Sequence, residues 1–424
     1  MINDVLPPDR PRLHPKPKRI EPIAKPERPP LHEQAKAVDA SFQTPEEVAS
    51  AEVNEQPSGP TIVHHEAEKI KRFSWPPTRK QQIMGGSLAI LLAFGLGASW
   101  TMTHHKRAVQ AAVVKPVVKK APTPAPIVYS TLSGLPVADA SVNQKPVTGA
   151  MIENSLDARP QSGLSQAGVI FEAVAEGGVT RFLALFQDTA PNDIGPIRSA
   201  RPYYVSWAMG FDAAYAHVGG SPDALSDITA WSVKDMNQFY NGSSYHRVSS
   251  RASPHNVYTS VATLNQLETA KHFTSSYTGF PRGKAVASTT PTASNIDLHL
   301  SGPTYDPHYA YNATTNSYDR SEAGEPHTDA NTGKQLSPNV VIAIVVPLAR
   351  GALDASGAYY SNYTTTGSGQ AYIFQNGTLT TGTWAKTGNS AQMTFVDASG
   401  QAVKLNPGQT WISAVSSSNQ VVYK

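Results

Sequence analysis

One uncharged run, IMGGSLAILLAFGLGASWTMT from Ile83 to Thr103, constrains this chain of 424 residues more than any other stretch. As a helix it spans the roughly 30 Å hydrocarbon core of a bilayer. Eighty-two residues precede it, where a cleaved secretory signal has only a short basic start, so the run reads as a signal anchor and a single transmembrane helix. The alternative, a buried core helix, fits poorly with Lys and Arg on both flanks and with Trp100 at the edge where interfacial aromatics sit.

The sequence before and after this run differs in texture. More than half of the 34 prolines fall in the first 130 residues. Residues 1–82 mix Pro, charge and a Glu- and Ala-rich segment without a sustained apolar period. Such a tail buries too little apolar surface to offset chain entropy and is expected to be disordered. The cluster Lys16, Lys18 and Arg19 within it reads as part of a solvated tail. Residues 104–127, rich in Val, Lys and Pro, read as an extended stalk. Five basic residues before the apolar run (Lys69, Lys71, Arg72, Arg79, Lys80) are matched by five after it (Lys106, Arg107, Lys115, Lys119, Lys120), so the positive-inside rule leaves the orientation open.

From residue 128 the pattern is globular. GAMIEN (149–154), VIFEAVA (169–175) and TRFLALFQ (180–187) read as strands, the last two joined as a hairpin through Glu176, Gly177 and Gly178. A helix is expected over Ile197 to Gly210, capped at Ser199 or Arg201, with Pro202 in its first turn. AAYAHV (213–218) is a strand, Ser221-Pro222 opens a helix, and another helix runs from about Thr259 to Lys271. After Asn339 strand-like runs alternate with the turns Asn376-Gly377, Ser399-Gly400 and Pro407-Gly408. The expected fold is α+β: an α/β-like domain over 128–295, then a smaller β-rich domain over 296–424.

Charge and composition narrow the chemistry. A net charge of +3, without a concentrated basic face, gives no reason to expect nucleic acid. The absence of cysteine removes disulfides, Cys-zinc sites, a thiol nucleophile and a lipid on sulfur. Ser165 and Ser221 lack the G-x-S-x-G spacing of a nucleophile elbow. His327-Thr-Asp329, with His308 upstream, reads as surface polar residues, and neither a metal nor a cofactor is expected.

What remains is a cluster of Glu153, Glu172 and Glu176 against Arg159, Arg181, Arg198 and Arg201, with Tyr215, His217, His255 and Asn256 at neighbouring strand ends and loops. Guanidinium stays protonated and keeps nearby carboxylates ionised, which argues against a glycosidase-type acid and towards binding an anion or a polar sugar. Arg198 and Arg201 near a helix N-terminus, which already carries partial positive charge, call for an answering anion. That anion is either a ligand group or one of the chain's own glutamates. His217 and His255 are the candidate general bases should the protein be an enzyme.

Several stretches together, IENSLDARPQSGLSQAGVIFEAVAEGGVTRF, IGPIRSARPYY, AYAHVGGSPDAL, RASPHNVYT, YDRSEAGEPHTDANTGKQLSPNVVI, GQAYIFQNG, GTWAKT and LNPGQTWI, resemble the YerB-like bacterial envelope proteins over residues 128–424. The resemblance implies a two-part domain of unknown function outside the cytoplasm, hence a cytoplasmic N-terminal tail. It implies no reaction. Similar proteins are often held by a lipid on an N-terminal cysteine, and here the Ile83–Thr103 helix would take that role. The expectation is a single-pass membrane protein whose folded part binds a cell-wall glycan or an anionic polymer. The alternatives are a hydrolase or transferase on wall polymers and an envelope scaffold.

Overall fold

Four central strands owe their sequences to burial on both faces. Thr148–Glu153, Val169–Val174, Thr180–Phe186 and Thr410–Val415 are buried at every position. Strands covered on both sides lose the apolar-polar alternation of a half-exposed sheet and become nearly continuous apolar runs. The computed structural model describes residues 126–424, and the expected tail, transmembrane helix and all but the end of the stalk lie outside the described residues. Among the described residues no helix is long and apolar enough to cross a membrane.

These strands lie at the centre of a ten-stranded mixed sheet. From edge to edge the order is Thr394–Asp397, Thr378–Lys386, Gly367–Gln375, Val340–Val345, Thr410–Val415, Val169–Val174, Thr180–Phe186, Thr148–Glu153, Ala214–His217 and Lys234–Asn237. Val340–Val345 pairs in parallel with Thr410–Val415, which pairs in parallel with Val169–Val174, placing Ile412 beside Phe171 and Ser413 beside Glu172. Thr148–Glu153, Ala214–His217 and Lys234–Asn237 form a second parallel run. Strands from both sides of the 295/296 position therefore share one sheet, and the described residues fall within one compact unit.

One face of the sheet packs Met151, Phe171, Leu183, Tyr215 and Ile412 against the Pro202–Met209 helix, where Trp207 stacks on Phe171 with ring centroids 5.1 Å apart. The other face packs Ile152, Ile170, Phe182, Ala216 and Trp411 against the Val261–Ala270 helix and a five-stranded antiparallel sheet. That smaller sheet is built from Asn295–Leu298, Pro307–Asn312, Ser317–Glu322, Glu325–Pro326 and the C-terminal Val421–Tyr423. With three α-helices of 8, 9 and 10 residues among the described residues, the folded region is mostly β, so the α/β-like character expected of 128–295 is confined to its short parallel run.

The first helix begins later than the sequence suggests. Ile197 bridges to Ile152, Arg198 N–H donates to Met151 O, and Ala200 bridges to Gly220, so this segment is extended and Arg201 is the N-cap of Pro202–Met209. Pro202 explains the boundary, since its ring disfavours helical backbone at the residue before it. Ser221 caps Pro222–Ala230 through the Ala224 N–H, and Ser260 caps Val261–Ala270 through the Thr263 N–H. The run 401–405 is not a strand, making only the isolated bridges Ala402 to Val396 and Leu405 to Arg282.

Candidate functional site

The four arginines singled out from the sequence do not converge. The structure distributes them over three ion-pair groups, each holding one of the glutamates.

The deepest group lies between the two sheets. Glu172 accepts from Arg320 Nη2 at 2.9 and 3.1 Å and from Trp411 Nε1 at 2.8 Å, while Arg320 also reaches Glu322 at 3.2 Å. The guanidinium lies 4.6 Å from the Trp411 ring centroid. Burial pushes the Glu172 carboxyl up and Arg320 opposes it. Burial also works against the Arg320 charge, but Glu172 and then Glu322 outweigh it and hold that pKa well above its ordinary value. Arg159 belongs here, 3.2 Å from Glu322, with Nε donating to Asn154 Oδ1 at 3.1 Å and the guanidinium over the Tyr305 ring. His327 is buried beside Arg320, and burial followed by Arg320 and Arg159 pushes its pKa well down. It is therefore neutral: Nδ1 accepts from Arg320 and Nε2–H donates to Gln161 Oε1 at 2.7 Å.

This corrects the expectation of surface polarity for His327 and Asp329. Asp329 is fully buried and accepts from the backbone N–H groups of Gly163, Ser165 and Asn331 at 3.2, 2.7 and 2.8 Å, while His308 lies apart, paired with Asp297. Arg320 and Glu322 were missed from the sequence. The signal available was the alternation Tyr318, Arg320, Glu322 on a strand that buries those three residues and Ser317.

The second group sits where the Val169–Val174 strand ends. Glu176 is shared by Arg181 and Arg201, with Arg201 Nε donating to it at 2.8 Å and Nη2 lying 2.5 Å from it. Arg181 and Arg201 cap outgoing carbonyls as well, Ser199 O at 2.9 Å and Ala200 O at 2.6 Å. Tyr215 is buried on the Ala214–His217 strand, where burial raises its phenol pKa, and its hydroxyl has no side-chain partner.

The third group is at the end of Thr148–Glu153. Glu153 Oε2 is 2.9 Å from His255 Nδ1 and Oε1 is 3.3 Å from Arg198 Nε, and Ser155 Oγ donates to Oε1 at 3.0 Å. His255 Nε2 is 3.9 Å from the exposed Asp157. Asn256 pairs instead with Arg247, accepting from it at 2.6 Å. His217 is fully buried, with Nδ1 on Gly219 O at 2.7 Å and Nε2 on Asp235 Oδ1 at 2.9 Å, so neither ring nitrogen is open to a substrate. Of the two candidate bases, the geometry leaves His255.

Open space adjoins the second group. A cleft of about 420 Å³ runs between Arg201 and Pro202 at one helix start, Ser221 and Asp223 at another, and the hairpin Leu348–Leu353/Tyr359–Tyr363. The hairpin is fixed by Ser361 N–H donating to Ala175 O at 2.8 Å and by the Glu176 to Tyr360 bridge. The Arg201 guanidinium lies 4.9 Å from the Tyr360 ring centroid. An adjoining depression of about 330 Å³ is lined by Gly177, Gly178, Arg350 and Tyr359, and Arg350 stacks 4.4 Å from the Tyr359 ring. Two cations (Arg201, Arg350) and two carboxylates (Asp223, Asp354) line this combined surface. Asp354 is engaged by its own turn, accepting from Ser356 N–H at 2.9 Å and Ala358 N–H at 2.8 Å. The surface is polar, aromatic and electrically balanced.

Known proteins share this architecture. A protein of Bacillus subtilis (strain 168) named "Putative lipoprotein YerB" is 31% identical over 289 residues, covering 67% of this chain and 85% of its own. The crystal structure of YerB protein from Bacillus subtilis superposes with a TM-score of 0.62 at 28% identity, covering 70% of this chain and 99% of that one. Residues 132–274 match the N-terminal domain, and residues 296–412 the C-terminal domain, of the family described as protein of unknown function (DUF3048). With both domains present in order and a relative covered over most of its length, the chain belongs to the DUF3048 family.

Proposed function

We propose that this is a membrane-held, extracytoplasmic protein whose folded unit binds a cell-envelope glycan along the surface between the 348–363 hairpin and the two helix starts at Arg201 and Ser221. The observation that carries the reading is the pairing of Arg201 with Tyr360 and of Arg350 with Tyr359 along one open face. Aromatic rings offer an apolar surface for the carbon faces of a sugar, and the exposed Arg350 guanidinium offers donors for its hydroxyls, while Arg201 is buried, committed to Glu176 and Ala200 O, and packs on the Tyr360 ring.

Of the two ligand kinds expected from the sequence, the glycan is favoured over a densely anionic polymer, because Asp223 and Asp354 offset Arg201 and Arg350 on the same surface. The name of the Bacillus subtilis relative supports attachment at a membrane. None of the 424 residues is a cysteine, so the attachment proposed here is the Ile83–Thr103 helix, with residues 1–82 in the cytoplasm.

Full-length protein should sediment with purified cell wall, and Arg350→Ala combined with Tyr359→Ala should abolish this while leaving the melting temperature unchanged, since both side chains are exposed. Sedimentation equal to wild type in the double variant would refute the reading.

A hydrolase or transferase acting on wall polymers is the second reading. It is favoured only by His255, which is partly exposed and oriented at Nδ1 by Glu153, the arrangement of a carboxylate-supported base. The envelope-scaffold reading has no comparable feature.

A further inference from the structure

The chain enters the fold at one end of the large sheet and carries the 348–363 hairpin at the other. The small hairpin Val128–Tyr129/Pro136–Val137 sits where Val169–Val174 and Thr410–Val415 begin: a Cβ built on Gly168 would lie 2.9 Å from Leu132, and Gly408 N–H donates to Ser133 O. The 348–363 hairpin is attached where Val169–Val174 ends, through Ala175 and Glu176. Thr148–Glu153, Ala214–His217 and Lys234–Asn237 also run towards that end. Six-residue strands hold the two ends about 20 Å apart.

The entry end is apolar and basic on its outside. Ile127, Tyr129, Leu135 and Val286 each expose 45% or more of their surface. Tyr129 lines a groove of about 630 Å³ with Gly134, Lys284, Ala285 and Pro407, so Leu135 and Val286 follow directly on residues of its walls. Lys284 and Lys404 are exposed on neighbouring segments joined by the Arg282 to Leu405 bridge. Lys145 is exposed close to Asn143, which donates to Tyr129 O at 2.8 Å. Against these lysines the segments 127–145, 281–287 and 403–408 carry a single carboxylate, Asp139, and half-buried Asp188 is bonded to Ser133. Apolar residues exposed singly are ordinary. Gathered around one groove with lysines between them, they match the outer layer of a bilayer, where tyrosine and aliphatic groups enter the headgroup region and lysines reach its phosphates.

The course of the chain says what lies against this end. Twenty-three residues separate Thr103, the end of the apolar run, from Ile127, and five of them are basic. Fully extended they reach at most about 80 Å, so a chain held at a membrane keeps the entry end at high local concentration beside the lipid, and a weak contact suffices to dock it. A second copy of the chain would instead bring like charges together. We propose that the entry end of the sheet docks on a bilayer surface containing anionic lipid and so turns the hairpin surface away from the membrane. The proposal rests on the membrane attachment read above and not on the glycan.

The chain has no cysteine, so a single introduced thiol carries a label uniquely. Full-length protein is reconstituted in nanodiscs of phosphatidylcholine and phosphatidylglycerol with nitroxide-labelled headgroups, bearing a fluorophore on Val286→Cys or, beyond the opposite end of the sheet, on Tyr240→Cys. The Val286→Cys label is quenched and the Tyr240→Cys label is not. Each lysine near an anionic surface strengthens docking about fivefold. Quenching is therefore lost in discs of phosphatidylcholine alone, and in Lys284→Glu combined with Lys404→Glu, whose exposed side chains leave the melting temperature unchanged. Equal quenching of both labels, no quenching of Val286→Cys in protein that stays with its discs, or quenching that charge reversal leaves intact overturns the docking while the attachment stands. Protein that leaves the discs altogether refutes the attachment, and the docking with it.

Discussion

Arg320 Nη2 contacts both carboxylate oxygens of Glu172, at 2.9 and 3.1 Å, and neither side chain has any exposed surface. The two residues come from different halves of the chain, so this pair ties the smaller sheet to the centre of the larger one. Taking charges out of water is costly, and attraction offsets that only while both partners are present. Arg320→Met should leave Glu172 and Glu322 buried without their cation and cost about 3–5 kcal/mol, read as a lower urea midpoint. A midpoint within error of wild type would show the pair is not holding the sheets together.

Glu268 supplies a pH dependence. Burial pushes its carboxyl from 4.5 up to about 7, against the opposing Thr148 hydroxyl, which donates to it at 2.7 Å, and Lys234. Because the folded pKa lies above the unfolded one, the native state holds a proton that the unfolded state has lost between those values, so this group lowers stability as pH rises from 4.5 through 7 and no further above it. Glu268→Gln should therefore be more stable than wild type above about pH 7, by at most about 3 kcal/mol, with the gap closing towards acid pH. Thermal melts across pH check this, and a gap that widens on acidification would contradict it.

Gly377 closes the turn between Gly367–Gln375 and Thr378–Lys386 with φ +75°, and a Cβ built on it would lie 2.6 Å from Tyr311 Cε1. Gly377→Ala should cost about 1–3 kcal/mol through backbone strain and displacement of Tyr311. Chemical denaturation measures it, and an unchanged midpoint would mean the turn relaxes freely.

His255 separates binding from catalysis. On the binding account, wild-type protein releases no soluble fragments from wall material between about pH 5 and 8, the range bracketing an ordinary histidine. Release that His255→Ala abolishes would instead establish the enzyme reading.

Much of the fold was legible because burial writes itself into apolar runs. The strands at 148–153, 169–174, 180–186 and 410–415 and the Asn376-Gly377 turn follow directly from the residues. Lys234–Asn237 was not legible, since KDMN is a polar edge strand with a charge at its start. Nor was the hairpin 348–363, whose mixed residues pack only along one edge. The site was half legible. The sequence left open whether a ligand or the chain's own glutamates answer the arginines, and one-dimensional spacing does not reveal which glutamate faces which arginine. The partners of Glu172 and Arg159 come from Arg320 and Glu322, more than a hundred residues away.

The central claim, that the hairpin surface binds a wall glycan, is tested most directly by a crystal structure of the protein soaked with soluble wall-glycan fragments. The account predicts sugar density along Tyr359, Tyr360 and Arg350, with a ring face against Tyr359 or Tyr360. Sugar density confined to the loops around His255, with the hairpin surface bare, would contradict it.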